Sequence, residues 1–354
     1  MLLTLPTVAG PALLAAAAAG SLVVSLLRAR RARRSAERSA QPTGSIVLGR
    51  TAQGTPAVLT EEQMAAHGLI LGASGAGKTT SLLRILTERI RAGEPVVAID
   101  MKASPQFEAT LRAACAEAGR PLRVWGPDGP AHWNPLAYGN ATELKDKLIG
   151  SERFSEPHYK RQAERYLQLA LGVLIELRPG QAPDLLEVVD ALEPRRLARL
   201  ASDLPTSRAA QISEYVARLG PDGTSAVRGL ATRLALTAES HAGPFLRGEA
   251  AEHGSPGGGV IDLRRALDGD GVVLFSLNSS TLGGLAAQLG TLAVQDLITA
   301  SGHRLRAGEG GRRLATIGID EFTGLGGDHI EHLLARGRES GMSVILATQE
   351  HADL

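Results

Sequence analysis

Gly72-Ala73-Ser74-Gly75-Ala76-Gly77-Lys78-Thr79 has the residue types and spacing needed to hold a chain of phosphates, G-x-x-x-x-G-K-[ST]. The glycines let backbone N–H groups converge on anionic oxygens, and the dipole of a following helix adds to that attraction. Lys78 brings a point charge to the β- and γ-phosphates, while the Thr79 hydroxyl, with Thr80 beside it, can face Mg²⁺. Far downstream, Asp320-Glu321 supplies two adjacent carboxylates. Asp320 suits the water shell of a magnesium ion; Glu321 is placed to polarise an attacking water, which fits hydrolysis better than transfer to a separate acceptor. Gln349 can sense a γ-phosphate or orient that water. Asp100 and Lys102 read equally well as site residues or as an ion pair with each other.

These residues need strands to carry them. Gly68-Leu-Ile-Leu71 reads as a short buried strand before the loop, and the apolar spacing from Thr80 predicts a helix running to Ile90. Val96–Asp100, Arg313–Ile319 and Ser343–Thr348 are further apolar runs, ending at or beside Asp100, Asp320 and Gln349. Buried strands alternating with helical stretches imply an α/β protein with a doubly wound parallel sheet. In such sheets ligands gather at the carboxyl ends of the strands, where Gly72, Asp100, Asp320 and Gln349 all fall.

Composition narrows the options. The 354 residues are 44% hydrophobic and 21% charged, which describes a globular chain able to bury a sizeable core. One cysteine excludes an intrachain disulfide, and neither it nor the nine histidines show metal-ligand spacing, so no structural metal is expected. No G-x-S-x-G elbow suggests serine-nucleophile chemistry. The net charge is +1, but residues 28–38 hold six arginines against Glu37; the remainder carries 32 basic and 36 acidic groups, a net −4. A uniformly basic nucleic-acid coat is therefore excluded, and any such contact must be local. An aromatic content of 3% argues for backbone-tracking rather than base-stacking contacts.

The stretch from Leu2 to Leu27 lacks charge and is long enough to span a bilayer. The arginines that follow it, opposite to the order in a signal peptide, predict one transmembrane anchor with the body in the cytoplasm. The cluster itself most simply faces anionic lipid headgroups, with DNA steering the alternative.

Taken together, the motifs resemble the type IV coupling proteins of secretion and conjugation, members of the FtsK–HerA superfamily of additional-strand P-loop ATPases. The resemblance rests on His67–Thr79, Val97–Lys102, Trp133-Asn134-Pro135-Leu136, Ile261–Leu267 with Val272–Leu277, Ile319–Phe322, Arg336–Gly341 and Ile345–Gln349. It implies a RecA-like P-loop NTPase with a mainly parallel central sheet, an inserted all-α domain and an N-terminal transmembrane helix in the inner (plasma) membrane. ATP and Mg²⁺ would bind through residues 72–80 and Asp320, with Glu321, Lys78 and Gln349 catalytic. It also implies a hexameric ring gripping DNA in a central channel, relaxosome or secretion-channel partners, and an arginine, Arg336 or Arg338, reaching a neighbour's γ-phosphate.

Between Asn140 and Arg247 strand-like runs give way to helical periodicity, predicting an insert of four to six helices punctuated by Pro183, Pro194, Pro205 and Pro221. Residues 141–249 balance 15 basic and 15 acidic groups, which favours a partner-docking surface over a DNA-binding one. The expected organisation is an anchor over 1–27, a basic linker over 28–45, NTPase segments over 46–139 and 250–354, and the helical insert over 140–249. Relative to the family pattern the chain shows one membrane segment rather than two, and it stops soon after Gln349, which suggests truncation. The leading function is ATP-driven DNA transfer. Alternatives are a coupling ATPase or nucleotide-controlled receptor for protein substrates, and an FtsK/HerA-like translocase of duplex DNA.

Overall fold

The computed structural model describes residues 45–248, 257–306, 313–325 and 327–349. Two short strands, β1 (Ile46–Arg50) and β2 (Pro56–Leu59), form an antiparallel hairpin that precedes helix α1 (Glu61–Ala65). Thr60 and Gln63 cap α1 reciprocally, each side chain satisfying the other's backbone N–H. The α/β body then begins with β3 (Gly68–Leu71), α2 (Lys78–Arg91), β4 (Val96–Asp100), α3 (Pro105–Glu117), β5 (Leu122–Trp125) and β6 (Ala131–Trp133).

Six helices follow: α4 (Ala141–Gly150), α5 (Pro157–Leu177), α6 (Leu185–Ala191), α7 (Pro194–Ala201), α8 (Thr206–Ala217) and α9 (Gly220–Ala238). Their sequence punctuation works as physical chemistry requires. Pro194 opens α7, where the missing N–H costs nothing, and Asp184, just after Pro183, accepts from Glu187 N–H to cap α6. The chain returns through β7 (Gly259–Ile261), α10 (Leu263–Leu267), β8 (Val272–Ser276), α11 (Ser279–Leu282), α12 (Gly284–Arg306), β9 (Ala315–Asp320), α13 (Gly327–Gly337) and β10 (Met342–Thr348).

Six strands pair in the order β3-β10-β9-β4-β8-β5, every pair parallel. At the sheet edge β3 leaves Leu69 and Leu71 exposed, so the buried strand expected there is only partly covered. Helices cover both faces of the inner strands β4, β8, β9 and β10, which read as unbroken apolar runs rather than alternating ones. The pleat still divides them. Val96 and Ala98 of β4 pack with Leu82, Leu86 and Ile90 of α2 and with Phe107 and Leu111 of α3. Val97 and Ile99 face the other way, against Leu289, Leu292 and Val294 of α12, in a core that continues into Tyr166, Leu167 and Leu171 of α5. Helix α2 lies close to the sheet: a Cβ at Gly318 would come within 2.9 Å of the Leu86 methyls.

The junction between the sheet and the helical region is a polar knot inside an aromatic cluster. Trp133 stacks edge-on against Trp125 and Phe275, with ring centroids 5.7 and 5.0 Å away. Its indole N–H donates to Asp296 Oδ2 at 3.0 Å, and Lys147 Nζ donates to Asp296 Oδ1 at 2.7 Å and to Pro135 O at 2.5 Å. Asn134 accepts from Leu136 N–H and donates to Pro183 O, tying the Asn134-Pro135-Leu136 turn to the loop before α6.

Sequence patterning missed β1, β2, β5, β6, β7 and β8. The chain enters β7 through glycines that pair with the sheet: Gly257 O accepts from Val124 N–H at 2.9 Å, and Gly259 begins a strand parallel to β6. No helix among the described residues is long and apolar enough to cross a membrane, and the expected anchor over 1–27 lies outside them.

Candidate active site

The loop between β3 and α2 adopts the conformation its glycines permit. Gly75 and Gly77 have φ of +78° and +86°, in the left-handed region, and a Cβ on Gly72 would press on Ala76 at 3.1 Å. Gly77 occupies the N-cap of α2 and offers no side-chain cap, so the first-turn N–H groups face the loop without an internal acceptor. Lys78 is buried, and its ammonium donates to Ala73 O at 3.1 Å across the loop. A cation turned back onto its own loop by a carbonyl, beside unsatisfied amides, is a cradle for an oligophosphate.

Parallel register brings the acids to the same place. Asp320 ends β9, paired with Asp100 at the end of β4 on one side and with Ala347 of β10 on the other, while Thr348 of β10 pairs with Leu71 of β3. The Thr79 hydroxyl donates to Asp320 Oδ2 at 2.7 Å, joining residues 241 positions apart. Asp320 is 1% exposed, and its other oxygen, Oδ1, is buried without a hydrogen-bond partner. A buried carboxylate oxygen lacking a donor is costly. Burial pushes the Asp320 carboxyl up, opposed by the Thr79 hydrogen bond and the nearby charge of Lys102, while Glu321 adds to the rise. An orphaned carboxylate oxygen beside a threonine hydroxyl fits a hydrated divalent cation, so Thr79 and Asp320 fit the Mg²⁺ role the sequence assigned to them.

Asp100 differs from one of the sequence readings. Its carboxylate accepts from the backbone N–H groups of Lys102 and Ser104, at 2.9 and 2.7 Å, rather than forming a side-chain ion pair with Lys102. It is 1% exposed, and burial pushes its carboxyl up against the pull of those two bonds. The Asp-x-Lys-x-Ser spacing is a local signal for such a turn, since a short acid commonly binds backbone amides a few residues on. The Lys102 ammonium instead pairs with Glu321 Oε1, which also accepts from Gln349 Nε2.

Glu321 has φ of +57°, an unusual value for a residue with a side chain, and its N–H donates to Ala347 O at 2.9 Å. Thus Lys78, Thr79, Asp320, Glu321 and Gln349 assemble at one end of the sheet, with Asp100 and Lys102 alongside. Ala73, Ser74, Gly75, Ala76 and Thr80 are exposed around the cradle.

Arg336 and Arg338 are placed elsewhere. Both are exposed, at and just beyond the end of α13, beside the start of β10 and therefore at the opposite end of the sheet from this chain's own phosphate loop. That end is braced by His67, which sequence reading quoted only as part of a motif. His67 Nε2 donates to Leu334 O at 2.8 Å, while Nδ1 accepts from Val344 N–H at 3.1 Å. The ring is therefore neutral, and burial, together with Arg338, holds its pKa down.

Loop, acids and sheet together make a RecA-like α/β fold with a phosphate-binding loop. Residues 27–91 match the family model of FtsK/SpoIIIE. Among solved structures the fold is similar to the bacterial conjugative coupling protein TrwBdeltaN70 in an unbound monoclinic form, with a TM-score of 0.56 and 15% identity, covering 90% of this chain and 69% of that one. It is also similar to VirB4 of Thermoanaerobacter pseudethanolicus, with a TM-score of 0.54 and 16% identity over 88% of this chain and 79% of that one. No curated protein matches in sequence. The likeness to the coupling-protein and FtsK–HerA group read from the motifs thus stands on a match of the phosphate-loop segment and on the fold.

Proposed function

We propose that this chain is a membrane-anchored motor that couples ATP hydrolysis to DNA transfer through a conjugative or type IV secretion system. The observation that carries the reading is the hydrogen bond from Thr79 to Asp320, which unites the phosphate cradle with the acidic strand end, beside an unpartnered Asp320 oxygen. The FtsK/SpoIIIE match and the fold shared with a conjugative coupling protein support DNA as the cargo.

In this reading the amides after Gly75 and Gly77 and the Lys78 ammonium hold the β- and γ-phosphates, and Thr79 and Asp320 hold Mg²⁺. When bound, that ion neutralises charge on the phosphate oxygens. Glu321 receives a proton from water as the water oxygen bonds to the γ-phosphorus and the bond from that phosphorus to the β–γ bridging oxygen breaks, giving ADP and inorganic phosphate. Gln349 keeps the Glu321 carboxylate oriented. Arg336 and Arg338, remote from the cradle of their own chain, are suited to serve a neighbour's site in a homo-hexameric ring. The apolar stretch 1–27 would anchor that ring in the inner membrane with the ATPase body in the cytoplasm, and the helical region 140–249 would dock relaxosome or channel proteins.

Charge balance in the helical region favours a second reading, a coupling ATPase for protein substrates. Measuring ATP turnover with and without DNA over a range of salt separates the two. DNA motors should be stimulated by DNA, with binding that weakens steeply as salt rises. Turnover indifferent to DNA, with no salt-dependent DNA binding, removes DNA as the cargo.

A further inference from the structure

Lys102 lies at the strand ends, and the sequence leaves open whether it serves the site or pairs with Asp100. Its surroundings are built rather than casual. Asp100, buried at the end of β4, takes both the Lys102 and the Ser104 backbone N–H groups, and Ala103 between them sits at φ +50°. Met101 N–H reaches Asp320 O at 3.4 Å, so this turn is also tied to the strand that ends in the Asp-Glu pair. Across from it, Glu321 is held at φ +57° by its N–H bond to Ala347 O. Each of the two neighbouring loops thus holds a left-handed residue, and the Lys102–Glu321 ion pair joins them.

Stability does not account for the pair. The Lys102 side chain is 45% exposed, and ion pairs of that exposure contribute little to folding. Geometry offers a better account. The Lys102 ammonium and the Gln349 amide both converge on Glu321 Oε1, from opposite neighbours of β9. Fixing one carboxylate oxygen from two sides sets the direction of the other.

We propose that Lys102 is a positioning residue that holds Glu321 Oε1 so that Oε2 is presented to the attacking water. This rests on the reading of Glu321 as the group that polarises that water. Lys102 acts through Glu321 and not on phosphate, which makes its effect distinguishable from that of Lys78.

The test is steady-state ATP turnover by the full chain and its Lys102→Ala, Lys102→Arg, Glu321→Gln and Lys102→Ala/Glu321→Gln variants, with equilibrium binding of a fluorescent ATP analogue measured on each. A misdirected carboxylate should lower kcat by on the order of ten- to a hundred-fold in Lys102→Ala. KM and the dissociation constant of the analogue should stay within about two-fold, because ground-state binding is untouched. Lys102→Arg should restore most of the rate, and the double variant should be no slower than Glu321→Gln, since the two residues act as a unit. An unchanged or raised kcat in Lys102→Ala overturns the proposal, as does weakened analogue binding with kcat intact, which would assign Lys102 to phosphate. A double variant slower than Glu321→Gln by the full Lys102→Ala factor also overturns it. If Glu321→Gln itself turns over at the wild-type rate, the assignment of Glu321 fails and the inference with it; a normal loss there alongside an intact Lys102→Ala rate sinks the inference alone.

Discussion

Lys147 with Asp296 and Lys78 with Asp320 are lysine–aspartate arrangements finished to different degrees. At the junction with the helical region, Lys147 and Asp296 are paired at 2.7 Å, and the remaining polar capacity is taken by Pro135 O and the Trp133 indole. At the carboxyl end of the sheet, Lys78 meets a loop carbonyl, Asp320 keeps one buried oxygen without a partner, and Glu321 holds a left-handed backbone. Proteins seldom leave buried polar atoms unsatisfied without a reason, and seldom strain a backbone that does no more than pack. The first arrangement is complete in the folded chain and reads as a structural lock. The second leaves Asp320 Oδ1 open, as a ligand site would.

That contrast predicts opposite responses to mutation. Removing one partner of the complete pair should be the most damaging change: Lys147→Met is expected to cost about 3–5 kcal/mol of stability by leaving Asp296 buried and uncompensated, as chemical denaturation would show. Nucleotide affinity of the protein that remains folded should be preserved. An unaltered unfolding midpoint would break the comparison by showing that the junction is not a lock.

Asp320→Asn should act in the other direction. The substitution removes a charge that burial already disfavours, so the nucleotide-free protein should keep or gain up to about 1 kcal/mol while Mg²⁺-dependent ATP binding weakens. Thermal unfolding with and without Mg·ATP checks both halves. A large loss of stability in the nucleotide-free protein would place Asp320 with Asp296 as a structural acid.

The smallest effect concerns the far end of the sheet. His67 is neutral when folded, with its pKa held below the ordinary 6.5 by burial, while Leu334 O favours the charged form and Arg338 opposes it. The unfolded chain therefore takes up the proton first, and the contribution of His67, complete above about pH 6.5, declines as the pH falls below that value. The stability advantage of the wild type over His67→Gln should shrink by less than about 1 kcal/mol between pH 7 and 5.5, measured by denaturant unfolding. A growing advantage would mean that the ring is charged in the folded state.

How much of this could be read beforehand follows from how local each signal is. Strands β4, β9 and β10 were legible because strands buried on both faces leave apolar runs, β3 because its short apolar run leads straight into the phosphate loop, and that loop because one continuous segment makes it. β5, β6 and β7 were not, being only three or four residues long and paired with partners far along the chain. The Asp-Glu pair announced itself by following an apolar strand. Its partners did not: Lys102 lies 219 residues before Glu321, and nothing in the spacing around either residue points to the other. The same holds for Lys147 and Asp296, separated by 149 residues. Local chemistry locates the site, whereas non-local register decides which side chains finish it.

The most direct measurement of the central claim is the fate of nucleotide after Mg·ATP is mixed with the Glu321→Gln and Lys78→Ala proteins and the bound fraction is recovered. Glu321→Gln should retain intact ATP with turnover lowered by roughly 10²–10⁴-fold, and Lys78→Ala should retain none. Release of ADP by Glu321→Gln at the wild-type rate, or undiminished ATP retention by Lys78→Ala, would contradict the account.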